Sequence, residues 1–297
     1  MTNDGPPTLF SGALTLVLAP ETGGSIASFE YDAPEGKKIA LFRPTPKENA
    51  GILAHSSFPL VPYCNRIRDG RFTFRGREVR IANNLPGDAS PLHGQGWLSP
   101  WDVVRLEEAQ AELRFVHEAG EWPWRYEARQ TFALDARGLT MEIACTNLSD
   151  DPMPCGLGHH PYFVCTGETR LDTEVETAWT IDDKVLPVEQ VPAEGRYDLR
   201  DRLVCGQDLD NGFGGWGGRA RITDPALPVV IEMTSEDAAF FQLYSPASGG
   251  IFVAEPVSHA NAALNAPEEE WPALGMRVLE PGETMRLAMR VDVRPLQ

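Results

Sequence analysis

Along most of this chain apolar residues recur at every second position, a period that leaves little room for anything but β-structure. In LTMEIACTN (139–147), Leu139, Met141, Ile143 and Cys145 share one face, and Thr140, Glu142 and Thr146 share the other. The stretch before it, YEARQTFAL (126–134), places Tyr126, Ala128, Phe132 and Leu134 on one face, and the DARG between them predicts a hairpin. RFTFRGREVRI (71–81) predicts a second hairpin turning at Arg75-Gly76, and MRLAMRVDV aligns Met285, Leu287, Met289, Val291 and Val293. The 297 residues carry 27 glycines and 25 prolines, and long helical periodicity is absent; a short helix is expected around 236–242. Short strands separated by turns predict a sandwich or barrel. No Ser/Gly-rich or charged linker marks a boundary, so the expectation is one all-β domain over residues 1–297: a large, antiparallel β-sandwich.

Composition narrows the functional classes. A net charge of −17 argues against a nucleic-acid partner and against an anionic membrane surface. The opening MTNDGPPTLF has no basic segment followed by an apolar one, and no apolar run approaches the roughly 20 residues of a membrane span. The five cysteines (64, 145, 155, 165, 205) form no C-x-x-C pair, which predicts reduced, mostly buried thiols and neither a disulfide frame nor a zinc site. A cytoplasmic protein is expected.

Polar residues of catalytic type gather in five stretches. PYCNRIRDGRF (62–72) offers Asn65 and Arg66; NNLPGDASPLHGQGW (83–97) is a long loop leading to His93. GLGHHPYF (156–163) sets His159 beside His160, and strand alternation would send the two to opposite faces. LDNGFGGWGG (209–218) reads either as a turn at Asp210 or as a ligand platform, with Phe213 and Trp216 beside open backbone. In GGIFVAEPVSHANAALN (249–265) an apolar run drives into Glu255, and a carboxylate there is costly unless paired or functional. Each stretch also has a plain structural reading: surface ion pair, loop histidine, turn or core aromatic.

In this order the five stretches resemble the aldose 1-epimerase (galactose mutarotase) family, over roughly residues 10–295. NRIRDGRF is similar to its Asn-Arg-Ile segment, LHG to its first histidine motif, HPYF to its His-x-Tyr-Phe, LDNGF to its Asp-x-x-Phe, and AEPVSHANAALN to its late glutamate motif. The resemblance implies a large β-sandwich with an open sugar cleft. It makes His160 the general acid and Glu255 the general base, with Arg66, His93 and Asp210 as sugar ligands. Asn65, His159 and Trp216 complete the candidate set, and Tyr162 and Phe213 are further stacking candidates that serve equally well as core. His159 and Val164 stand where the family usually has asparagine, and Pro256 is not the usual successor of the glutamate, which together mark a divergent branch.

The chemistry suits these residues. Interconverting α and β anomers takes a proton from the C1 hydroxyl and gives one to the ring oxygen, which one base and one acid accomplish. The expected partner is a small monosaccharide, with no cofactor and no metal, and the assembly a monomer or homodimer. The rival readings are a non-catalytic sugar-binding protein and a hexose-6-phosphate 1-epimerase gripping phosphate with Arg66, Arg68 and Arg71. A glycoside hydrolase using Asp210 and Glu255 would leave His160 idle. A metal-dependent cupin wants His-x-His on one strand face, which adjacent histidines do not provide.

Overall fold

The structure is a computed structural model and describes residues 5–46 and 51–296. The reading of the extreme N-terminus falls partly on residues 1–4, which lie outside the described residues. Two large antiparallel sheets dominate. The back sheet has nine strands, in spatial order Arg202–Leu203, Arg170–Thr173, Arg219–Thr223, Val229–Thr234, Thr284–Pro295, Gly138–Asn147, Tyr126–Asp135, Gln110–His117 and Asp102–Leu106. The front sheet has eight: Pro187–Pro192, Thr177–Ile181, Leu209–Gly214, Phe240–Ser245, Ile251–Val257, Gly158–His159 and Pro59–Leu60 in sequence, with Tyr162–Val164 also paired to Ile251–Val257.

The alternation read in the back sheet is present as expected. Tyr126–Asp135 pairs with Gly138–Asn147 across the DARG turn, and Gly138–Asn147 pairs with Thr284–Pro295. Phe132, Met141, Ile143, Leu287, Met289 and Val291 are buried in one hydrophobic cluster with Phe213, Phe241, Leu243, Phe252 and Ala254 of the front sheet. Truncating one of its large side chains to alanine typically costs about 3–5 kcal/mol. Arg71–Phe74 and Arg77–Arg80 form the small hairpin, whose two turn residues sit at φ 49° (Arg75) and φ 78° (Gly76), the left-handed pair such a tight turn demands.

The helix expected at 236–242 is not there. Residues 235–239 form a bend, and a strand starts at Phe240. Consecutive phenylalanines explain the outcome. Phe241 enters the cluster between the sheets while Phe240 enters a second cluster on the front sheet's outer face, a split that only extended backbone can make. The bend is tied down by Ser235 Oγ donating to the Ala288 carbonyl and by Asp237 accepting from the Ala288 N–H. All five cysteines are free thiols, four of them buried. Among the described residues no helix is long and apolar enough to cross a membrane.

Candidate active site

The front sheet turns one face to the core and the other to a cleft, and its register sorts the residues. Gly212 lies opposite Gln242, and Gln242 opposite Glu255; one pair along, Asp210 lies opposite Tyr244, Tyr244 opposite Val253, and Val253 opposite Tyr162. Residues two apart on a strand share a face, so Asp210, Gln242, Tyr244, Glu255 and Tyr162 all project into the cleft. Asp210 is therefore a strand residue, not part of a turn. Its Oδ1 accepts from Gln242 Nε2 at 2.8 Å. His160 follows the end of Gly158–His159 and is separated by Pro161 from Tyr162–Val164. Its ring stacks on Phe58 (centroids 4.4 Å apart), and its Nε2 lies 3.5 Å from Glu255 Oε1.

Loops bring in the remaining groups. Asn65 and His93 both adopt left-handed backbone, at φ 57° and φ 58°. They lock each other: the His93 N–H donates to the Asn65 carbonyl (3.0 Å) and the Asn65 N–H to His93 Nδ1 (3.1 Å), which leaves His93 Nε2 to carry the ring proton. Gly94 allows this approach, because a Cβ there would stand 2.1 Å from the Val61 carbonyl oxygen. The segment after Glu255 straps the 64–68 stretch. Cys64, Arg66 and Arg68 donate their N–H groups in turn to His259 Nε2, Asn261 Oδ1 and Asn265 Oδ1. Arg66 sends Nε and Nη2 to Asp88 in a bidentate pair, with Nη2–Oδ2 at 2.8 Å, and its Nη1 stands 3.9 Å from Asp210.

Burial dominates the electrostatics. Glu255 is 2% exposed, and desolvation, aided by the nearby Asp210 charge and opposed by Arg66, raises its pKa well above the ordinary carboxylate value. Desolvation pushes His160 down to about 3 and carries His93 well below the usual imidazole range. The combination favours a protonated Glu255 facing a neutral His160, a pair with one proton between its members. Glu255 Oε2 and His160 Nδ1 are buried without a hydrogen-bond partner among the described residues. Such orphaned polar atoms are expensive and concentrate at sites that handle ligands.

Of the sequence candidates, the structure brings together His160, Glu255, Arg66, His93, Asp210 and Asn65. It puts three elsewhere. Trp216 lies in the core between the sheets, stacked on Phe241 with Nε1 donating to Thr173 Oγ1, so it forms no cleft floor. Phe213 is buried in the same core. His159 points away from the Glu255 face by strand alternation; it is 1% exposed, its Nε2 has no partner, and desolvation alone drives it down to about 3. It sits behind the cleft and does not line it.

Besides Tyr162 and Tyr244, the aromatic that reaches the cleft side is Trp179. Its indole packs over Gly212 and Gly214, where an added Cβ would come within 3.8 Å and 3.1 Å of the ring. Alternate glycines in a strand often mark the close approach of another group, and that was the available signal. Gln242 was legible only as the polar member of FFQLYS. Asp88, Asn261 and His259 act through pairings of 22 and 195 residues in separation, which no local pattern announces.

A sequence model of the aldose 1-epimerase family matches residues 8–292. The Escherichia coli (strain K12) protein named "Uncharacterized protein YphB" is 33% identical over 298 residues, covering 96% of this chain and 98% of its own length. Galactose mutarotase of Sus scrofa is 27% identical over 167 residues, half of this chain and 47% of that protein. Among solved structures, a candidate aldose 1-epimerase from Escherichia coli K12 superposes with a TM-score of 0.88 at 30% identity, over 98% of this chain and 99% of the other. A GalM/aldose epimerase homologue from C. elegans reaches 0.81 at 18% identity over 99% of each chain, a likeness of fold alone.

Proposed function

The chain belongs to the aldose 1-epimerase family, and on that premise we propose that it interconverts the α and β anomers of a free aldose, with Glu255 as base and His160 as acid. The observation that carries the reading is the facing pair: His160 Nε2 and Glu255 Oε1, 3.5 Å apart in a buried cleft. The two oxygens that exchange protons are bonded to one carbon, C1, so the acid and base that serve them must converge on a common point.

In ring opening Glu255 takes the C1 hydroxyl proton as the C1–ring-oxygen bond breaks, and His160 delivers a proton to the departing ring oxygen. That leaves the carboxyl protonated and the imidazole neutral beside the open-chain aldehyde. Burial favours this same arrangement in the free protein, so ring opening starts once the Glu255 proton has passed to His160 Nε2 across the 3.5 Å between them. After rotation about C1–C2 the protons return, His160 recovering its own from the hydroxyl and Glu255 giving its own to the carbonyl oxygen. The pair carries the same total charge throughout, so moving the proton within the dry cleft does not add a net buried charge. His93, through Nε2–H, and Arg66, through Nη1, are placed to donate to sugar oxygens, and Asp210 and Gln242 to accept from or donate to hydroxyls. Trp179 supplies the apolar platform.

The hexose-6-phosphate alternative draws no support from the arginines. Arg66 is occupied by Asp88, Arg68 lies 3.7 Å from Asp182 and donates to the Pro187 carbonyl, and the stretch is not extended, with Asp69 at φ 54°. The test is polarimetry of freshly dissolved α-D-glucose and α-D-galactose. The decay of optical rotation should accelerate in proportion to protein concentration. No acceleration across a panel of aldoses and their 6-phosphates would leave the sugar-binding reading in its place.

A further inference from the structure

We propose that Asp88 is a positioning residue that makes this cleft select uncharged aldoses over anionic ones; the inference rests on the anomer-interconverting reading above. An arginine in a polar cleft is ordinarily an anion receptor, because the Nε–Nη2 edge of its fork matches a carboxylate or phosphate. In Arg66 that edge is filled. Nε stands 3.3 and 3.2 Å from the two Asp88 oxygens, and Nη2 is 2.8 Å from Oδ2. The side chains of Arg66 and Asp88 are 10% and 12% exposed, so water screens the pair little.

Asp88 is itself held. Its Oδ1 accepts the Ser90 N–H at 3.0 Å, and its carbonyl accepts from Asn83 Nδ2 at 3.0 Å. The carboxylate thus fixes the roll of the guanidinium about its own axis and leaves Nη1 turned toward Asp210. A hydroxyl arriving there finds one donor and one acceptor side by side. A phosphate or carboxylate finds its natural fork blocked and two carboxyl groups beside it.

The neighbouring cations do not change this balance. Arg68 is engaged with Asp182 and the Pro187 carbonyl. Arg71 lines a separate surface hollow that also contains Glu78, Glu268 and Glu269. Arg43 lies flat on the Tyr162 ring, 3.7 Å from its centroid, with Nη2 donating to the Leu53 and His55 carbonyls.

Calorimetric titration of the full chain with glucose, glucuronate and glucose 6-phosphate separates the possibilities. Wild type should bind glucose at least about tenfold more tightly than either anion. Asp88→Asn should gain about tenfold in affinity for both anions, an effect that fades with added salt, while its affinity for glucose falls. Asp88→Glu, which keeps the charge, should keep the wild-type order. A wild type that binds glucose 6-phosphate as well as glucose overturns the proposal, and so does an Asp88→Asn protein that melts like wild type with unchanged anion affinity. If Asp88→Asn does not fold, the wild-type ratio decides alone. Charge selection without catalysis on the polarimeter would sink the epimerase reading on which this proposal rests; catalysis without charge selection would overturn this proposal alone and leave the epimerase reading standing.

Discussion

The outer faces of the two sheets come from the same alternating pattern and end in opposite chemical states. The back sheet's outer face is a mesh of ion pairs: Arg286 with Glu142 at 2.6 Å, Arg114 with Glu127, Arg129 with Glu112, and Arg219 and Arg294 both covering a buried Glu232. The front sheet's outer face is covered in part by the 56–97 loops and the 258–265 segment, and one of its two cleft carboxyl groups, Glu255, is 2% exposed. Apart from Glu232, charges on the first face keep contact with water, so pairs such as Arg286–Glu142 contribute little. On the second face Glu255 and His160 are buried, and their protonation states are governed by that burial. A sheet becomes a site when something covers its polar face.

The largest effect that sharpens this contrast is at Glu255. Glu255→Gln should lower the mutarotation rate by about 10²- to 10⁴-fold, as should His160→Ala. Only the first should raise thermal stability at neutral pH. The folded pKa of Glu255 lies above its ordinary value of 4.5, so its contribution is present below that value and lost as pH rises through the folded pKa. A melting temperature that drops on Glu255→Gln would break the claim that this face holds a strained carboxyl.

The two tryptophans come next. Trp216→Ala should destabilise by about 3–5 kcal/mol, with the KM of the residual folded protein unchanged. Trp179→Ala should melt closer to wild type and raise KM by roughly tenfold. The reverse split, read by denaturation and polarimetry, would return Trp216 to the cleft.

His159 tests burial without function. Its folded pKa of about 3 lies below the ordinary 6.5, so its neutral form supports the fold above pH 6.5 and that support is lost as pH falls toward 3. His159→Asn should flatten the acid loss of urea stability by about 1.4 kcal/mol per pH unit in that window. An unchanged slope would show that the ring is hydrated. The smallest effect belongs to the back sheet. A double-mutant cycle on Glu142 and Arg286 should give a coupling below about 1 kcal/mol that shrinks in salt. A large, salt-independent coupling would erase the distinction between the two faces.

What the chain determines by itself is considerable. Period-2 runs such as YEARQTFAL and LTMEIACTN specify which residues face inward, because side-chain direction along a strand is set by backbone geometry alone. The order of polar stretches from Asn65-Arg66 to Glu255 marks the groups that meet, and an apolar run ending in a glutamate announces a carboxyl under strain. Alternation also separates His159 from His160, yet it is silent about which of two opposite faces will be covered. That depends on loops arriving from 28 and 195 residues away, as His93 reaches Asn65 and Asn261 reaches Arg66. Only the tertiary structure put Trp179 in the place expected of Trp216, gave Arg66 its partner in Asp88, and dried the space around Glu255 and His160. Desolvation is a property of what surrounds a group in three dimensions, and no local stretch of sequence carries it.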